Sequence, residues 1–259
     1  MNLKLLHIFL LSTAGTFLLC TPFINTVELA NGLVTGKMCW FHLAMLFFSV
    51  CVFFVMLTKK GTVIAFTFSD PLVLFFAGGV LITYKWNLNP EPEKLIFAGQ
   101  LVILWFLLRY VLTAYRVFKF FFLFVLMFTG LIEAVWGMQQ LHGYSHSNHS
   151  LFRLTGSFFN PGPYSGYIAV ILPVCLWTAL RFQKGMHYFA WICVGAILIV
   201  LPAGMSRSAW IAAVVACGWV YWTERIGWEK TKAVYRRYKN ATIPFVAIVA
   251  ILAGCAIAG

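Results

Sequence analysis

Apolar runs of about 20 residues recur along the chain, each long enough to cross the hydrocarbon core of a bilayer. Short polar stretches separate them. The pattern predicts about nine spans, at roughly 4–24, 38–58, 69–85, 94–113, 117–140, 164–182, 186–204, 207–223 and 241–258. Lipid offers the backbone no hydrogen-bond partners, so each run is expected to be a helix. The residue-by-residue alternation of a membrane barrel is missing. The first run, Leu5 to Phe23, has no small-residue cleavage site after it and reads as a retained span. No linker or internal repeat divides the chain. The expected fold is all-α: one polytopic transmembrane helical bundle over residues 1–259.

Composition agrees with the pattern. The chain is 62% hydrophobic and 10% charged, with a mean hydropathy of +0.88. A soluble domain carries about 25% charged residues. The net charge of +12 would suggest a nucleic-acid partner, but its placement gives another explanation. With the N-terminus inside, the nine spans put fourteen Lys and Arg on the inner side and five on the outer side. This is the inside-positive bias of membrane proteins, and no nucleic acid is needed. The cluster "RIGWEKTKAVYRRYK" then forms an inner loop facing anionic headgroups. Nine spans leave residue 259 outside, directly after the last apolar run. The expectation is an N-terminal portion of a longer protein. The seven cysteines lack a Cys-x-x-Cys pair and sit mostly in apolar runs, as small packing residues.

One stretch departs from the apolar pattern. "RLTGSFFNPGPYSGYIAV", residues 153–170, holds an arginine and then Gly156, Asn160, Pro161, Gly162 and Pro163 before the apolar run resumes. Glycine and proline argue against helix there, while backbone exposure and Asn160 offer polar contacts to a ligand. Arg153 and Arg207 ("AGMSRSAW") both fall at outer ends of spans. Guanidinium is permanently charged and its planar fork suits phosphate, so two of them can clamp a diphosphate; each also suits a purely positioning role. Glu133, in "LIEAVWGMQQ", is costly inside an apolar run and is expected to face the bundle. An ion pair with Arg153 or Arg207 is its expected role, with orientation of a substrate hydroxyl as the alternative. Gln139 is placed to bond a sugar or the following loop. Asp70, before Pro71, reads as a helix N-cap. His142, His146 and His149 have a spacing that would suit metal ligands on a helix, but Gly, Ser and Asn around them argue for a loop. No phosphate loop, nucleophile elbow or paired-carboxylate constellation is present in the sequence.

Three of these stretches together resemble the signatures of the O-antigen ligase and polymerase superfamily. Arg153, Gly156, Phe158, Asn160, Pro161 and the mid-span Pro173 are similar to its Arg…Gly-x-Phe-x-Asn-Pro motif. "IEAVWGMQQLHG" resembles its preceding span, and "MSRSAWIAAVVA" its Ser-Arg-Ser signature, which includes Ser206. The motifs occur in family order across residues 130–215, and the first 115 residues match in hydropathy alone. Where the family often has Asn-Pro-Asn, this chain has Asn160-Pro161-Gly162. The resemblance implies a helical bundle of the lipid-linked glycosyltransferase (GT-C-like) type in the bacterial inner membrane, with the N-terminus cytoplasmic and residue 259 periplasmic. It implies transfer of a glycan from an undecaprenyl diphosphate carrier to an acceptor, lipid A-core in the ligase case, without metal or cofactor. Arg153 and Arg207 would bind the diphosphate. Glu133, Gln139, Gly156, Asn160 and Ser206 would line the pocket. The general base would lie in a periplasmic loop expected after residue 259. A polymerase and a protein O-oligosaccharyltransferase share the same donor chemistry. A non-catalytic carrier or lipid-diphosphate-binding scaffold is the reading from another class.

Overall fold

The computed structural model describes residues 3–26, 32–59, 61–62, 67, 69–87 and 91–227, and all of its regular elements are helical. They are α1 (Leu3–Leu19), α2 (Gly32–Thr58), α3 (Ser69–Trp86), α4 (Pro92–Ala114), α5 (Val117–Leu141), α6 (Pro161–Arg181), α7 (Gly185–Val200) and α8 (Arg207–Tyr221). Each falls on one of the runs predicted from hydropathy; the run at 241–258 lies outside the described residues. Among the described residues, five elements are long and apolar enough to cross a membrane: α2, α4, α5, α6, and α7 together with the short turn that follows it. The protein is therefore a helical membrane protein. α1 is apolar but has only 17 residues, and α3 and α8 are not among the five.

Two ends organise the bundle. The near end carries the start of α1 and the α4–α5 joint; the far end carries the α5–α6 and α7–α8 connections. α5 stands at the centre, since it packs against α1 and α4 on one side and α6 and α7 on the other. One buried cluster joins α5, α6, α7 and α8, and a second joins α1, α2, α4 and α5. Small residues let α5 meet α6 closely, as helices in lipid require when there is no hydrophobic drive between them. A Cβ on Gly130 would sit 2.8 Å from Ile171 Cγ2, and one on Gly137 would sit 2.2 Å from the Tyr164 hydroxyl. Tyr164 donates to the Glu133 carbonyl at 3.2 Å and Tyr167 to Thr129 Oγ1 at 2.8 Å, so two hydroxyls hold α6 against α5. Buried Cys51, Cys175 and Cys193 carry free thiols among apolar neighbours.

α3 and α4 form a hairpin that leaves most of α3 exposed, with only Asp70 buried on that helix. Exposed Phe75, Phe76 and Leu81 are what a lipid-facing helix presents. The N-cap reading of Asp70 needs correction. The helix begins at Ser69, which puts Asp70 inside its first turn. Its carboxylate reaches back to accept from Thr67 N at 2.7 Å, and it pairs with Arg109 and accepts from Trp105 Nε1 at 3.1 Å. An Asp buried in the membrane region needs a cation, and Arg109 one helix away provides it. Asp70→Asn should remove the charge that pairs with Arg109 and destabilise the detergent-solubilised protein by about 3–5 kcal/mol. The double variant Asp70→Asn/Arg109→Gln should recover part of that loss in thermal unfolding followed by fluorescence.

Candidate functional site

At the far end of α5 the chain leaves the helix after Leu141 and returns as a loop, residues 142–160, before α6 begins. Part of this loop is buried. Leu154, Thr155, Gly156 and Ser157 lie inside the bundle, where their backbone N–H groups need acceptors. Two side chains of α5 supply them. Gln140 Oε1 accepts from Thr155 N at 2.9 Å and Gly156 N at 2.7 Å, and Glu133 Oε2 accepts from Ser157 N at 3.0 Å. Glu133 and Gln140 are seven residues apart, two helical turns, so they share one face of α5. The Gln140 amide also donates to His146 O at 3.0 Å and Gly156 O at 3.1 Å. Ser157 Oγ contacts the Glu133 carboxyl and lies 2.6 Å from Pro22 O, which ties the loop to the turn after α1.

The clasp requires glycine at 156. Its φ of +54° is left-handed, and a Cβ there would sit 2.3 Å from Glu133 Oε2 and 2.4 Å from Tyr164. Asn148 completes the loop: its amide donates to Gly156 O at 3.2 Å and Phe158 O at 3.0 Å. Asn160 then caps α6, its side chain accepting from Gly162 N at 3.0 Å, with Pro161 at the first helical position. Proline in a first turn loses nothing, because those N–H groups have no helical acceptor. The predicted break at Gly162 and Pro163 is therefore a helix start, and α6 begins at Pro161 instead of 164.

Glu133 makes no ion pair with Arg153 or Arg207. It is fully buried, and its partners are the backbone and hydroxyl of Ser157. Among the described residues, the cation whose charge reaches it is Lys37 of α2. Lys37 itself donates to Ile24 O at 2.6 Å and stands 5.7 Å from the centre of the Phe158 ring. Gln139 is exposed, beside Leu131, Ile132, Val135 and Trp136, while its backbone carbonyl accepts from Tyr144 N at 2.8 Å. The neighbouring Gln140 holds the loop. Sequence reasoning missed Gln140, Lys37 and Ser157. The seven-residue spacing from Glu133 was the available signal for Gln140.

The two arginines occupy the same end of the bundle. Arg153 is exposed on the loop, and Arg207 is exposed as the first residue of α8; neither has an ion-pair partner among the described residues. α8 is set against α6 and α7 by Ser165 Oγ donating to Gly204 O at 3.1 Å and Trp210 Nε1 donating to Leu201 O at 2.9 Å. Between α6 and α8 runs a groove of about 470 Å³, lined along its length by Gly166, Ala169, Pro173, Ala209, Ala212 and Ala216. Ser206 stands at its far-end mouth, next in sequence to Arg207, and Ser208 lines it too. Neither Arg153 nor Arg207 is among the lining residues. His142 and His146 are exposed, and His149 packs 4.8 Å from Phe152, ring centre to ring centre, all in the loop beyond α5. Of the seven residues expected in the pocket, the groove takes in Ser206; Glu133, Gly156 and Asn160 build the loop and helix start behind it.

Compared with protein-family models, curated proteins and solved structures, the chain matches none.

The clasp generates a sharp contrast between adjacent residues. Gln140→Ala strands two buried N–H groups, each worth about 1–3 kcal/mol, and should lower thermal stability by a comparable amount. Gln139→Ala should change it by less than about 0.5 kcal/mol, as for other exposed positions. Gly156→Ala should fail to give folded protein, read as loss of the monodisperse peak in detergent size-exclusion chromatography.

Proposed function

We propose that the protein is a membrane glycosyltransferase of the O-antigen ligase kind, which moves a glycan from an undecaprenyl diphosphate carrier to an acceptor at the outer face of the bacterial inner membrane. The far end of the bundle is that outer face, and the start of α1 is cytoplasmic. One observation carries the reading: a groove of small apolar residues opens next to Ser206, whose sequence neighbour Arg207 is exposed and has no acidic partner among the described residues. A polyprenyl chain is apolar and a diphosphate is anionic. A lipid-facing groove with a cation at its mouth offers each part of the carrier a matching surface. Arg207, next in sequence to Ser206 at the mouth, binds the diphosphate, and Arg153, on the clasped loop, serves the same charge. As the acceptor hydroxyl attacks the anomeric carbon, the bond to the diphosphate oxygen breaks and charge gathers on the leaving lipid diphosphate. Fixed guanidinium groups stabilise that charge most strongly where water is scarce. The clasp of Glu133 and Gln140 positions the loop and does not touch the carrier.

A second reading, binding without transfer, draws on the same groove. Its polar lining residues are hydroxyls, Ser206 and Ser208, and among the described residues no carboxylate or imidazole lines it to take the acceptor proton.

Both readings are tested with the purified full chain and undecaprenyl-diphosphate-linked glycan. Release of undecaprenyl diphosphate in the presence of a lipid A-core acceptor is expected, falling by about 100-fold or more in Arg207→Ala while the membrane level of the protein is unchanged. Carrier binding with no release would favour the second reading. Full transfer by Arg207→Ala would remove the diphosphate role of that arginine.

A further inference from the structure

The α3–α4 hairpin holds a cleft built from different elements than the clasp and the α6–α8 groove. α3 runs from the near end to the far end and α4 returns, and between the stretch 75–87 and the first turn of α4 lies a cavity of about 540 Å³. Its lining changes character along its length. Toward the middle of α3 it is apolar, with Phe75, Phe76, Gly79 and Val80, joined by Leu95 of α4. Toward the far end it is polar, with Thr83, Tyr84 and Asn87, joined by Glu91 and Lys94. The distance along the helix from Phe75 to Asn87 is about 18 Å at 1.5 Å per residue. α4 is one of the helices long enough to span the membrane, so the polar mouth lies where α4 enters it and the apolar floor points toward the interior. The floor stays open because position 79 has no side chain: a Cβ built there would meet nothing within 4 Å.

The mouth offers both signs of charge side by side. Lys94 Nζ lies 2.8 Å from Glu91 Oε1, and the two side chains are 74% and 61% exposed. An ion pair this exposed is weak, and neither partner is used up by it. The carboxylate keeps further lone pairs and the ammonium further donors. Thr83 donates its hydroxyl proton to Gly79 O at 2.8 Å, which leaves its oxygen able to accept. The charges of the hairpin balance as well. The stretch 71–100 carries Lys85 and Lys94 against Glu91 and Glu93, and Lys85 and Glu93, both exposed, are not among the lining residues. A ligand of net negative charge therefore gains no general attraction here, whereas one that carries a cation and an anion together meets a partner for each.

We infer that this cleft binds a zwitterionic phospholipid with a primary ammonium, a phosphatidylethanolamine. Its ammonium donates to Glu91 and the Thr83 oxygen, its phosphate accepts from Lys94, and an acyl chain lies over Phe75, Phe76 and Val80 in the space left at Gly79. A quaternary ammonium has no N–H to give Glu91, and an anionic headgroup would meet Glu91 as a like charge. The apolar floor running into the membrane is what selects a lipid over a free phosphoethanolamine. The site is independent of the proposed transferase activity, since the cleft and the α6–α8 groove share no lining residue.

Native mass spectrometry of the full chain in detergent, titrated with dioleoyl phosphatidylethanolamine, phosphatidylcholine or phosphatidylglycerol, tests this. The expected result is a retained phosphatidylethanolamine adduct and much weaker adducts of the other two. Glu91→Gln and Lys94→Gln, at exposed positions, should each weaken that adduct roughly threefold, as for one exposed ionic contact. Gly79→Leu should fill the floor and remove the adduct; leucine is the better helix former and meets no neighbour at its Cβ, so the variant should fold. Gly78→Leu, the same change one residue away at a position equally free of neighbours and outside the lining, should leave the adduct intact. An adduct that survives Gly79→Leu, or that Gly78→Leu removes equally, would overturn the cleft as the site. Equal retention of phosphatidylcholine would overturn the role of the primary ammonium, and stronger retention of phosphatidylglycerol would overturn the zwitterion. A dimer in place of the lipid adduct, lost in Gly79→Leu, would give the cleft to a second copy of the chain and overturn the lipid.

Discussion

A buried backbone turn cannot survive in a membrane bundle unless its polar groups are answered from within, and the 142–160 loop is answered by two side chains of one helix. Glu133 and Gln140 accept the N–H groups of three successive residues, Thr155, Gly156 and Ser157. Much of the far end follows from that contact. With the loop drawn in, Ser157 reaches Pro22 and ties the first hairpin to the centre. Leu154 and Tyr164 fill the space over Gly137, and Asn160 falls where it can cap α6. α6 in turn carries Ser165 to Gly204, which fixes the turn from which α8 starts. Arg207 is held in place by this chain of contacts without taking part in it.

The cost of burying a carboxylate explains why Lys37 belongs to the same assembly. Glu133 receives two hydrogen bonds from Ser157, and a single bond or none would leave its remaining charge unsupported in a low-dielectric interior. Lys37 contributes its field from α2 while spending its own hydrogen bond on Ile24 O. The α1–α2 hairpin and the α5–α6 hairpin are thus coupled electrostatically as well as through Ser157 and Pro22. The near end uses the opposite balance. There His7, Thr58 and Tyr115 satisfy one another, and the charges stay at the rim.

Hydropathy was enough to locate the helices because lipid imposes one rule on every run: twenty or so apolar residues must close their own hydrogen bonds. The site was less legible. Glycine and proline at 156–163 signalled a departure from helix, and the signal was sound up to Ser157. It was ambiguous from Asn160 onward, since Asn-Pro at a helix start and Asn-Pro in a loop are written with the same letters. Glu133 was recognised as bundle-facing from its cost in lipid. Its partner was misjudged because the eye matches a buried acid with an arginine, whereas here backbone N–H groups of a folded-back loop do that work. Gln139 and Gln140 differ by 100° around α5, and only the packing of the loop decides which of them is inside.

The same logic separates what the loop does from what its arginine does. Every polar side chain from Ser147 to Asn160 that is buried or half-buried has a partner within the loop, on α5 or at the α6 cap; Arg153 is exposed and has none among the described residues. A structural arginine at a bundle end would be expected to bond a helix carbonyl or a carboxylate, as Arg109 does with Asp70. With no partner among the described residues, the Arg153 guanidinium leaves its five donors unspent at the surface of the loop. Because the clasp already orders the loop, any anion taken by Arg153 would meet less of that ordering cost.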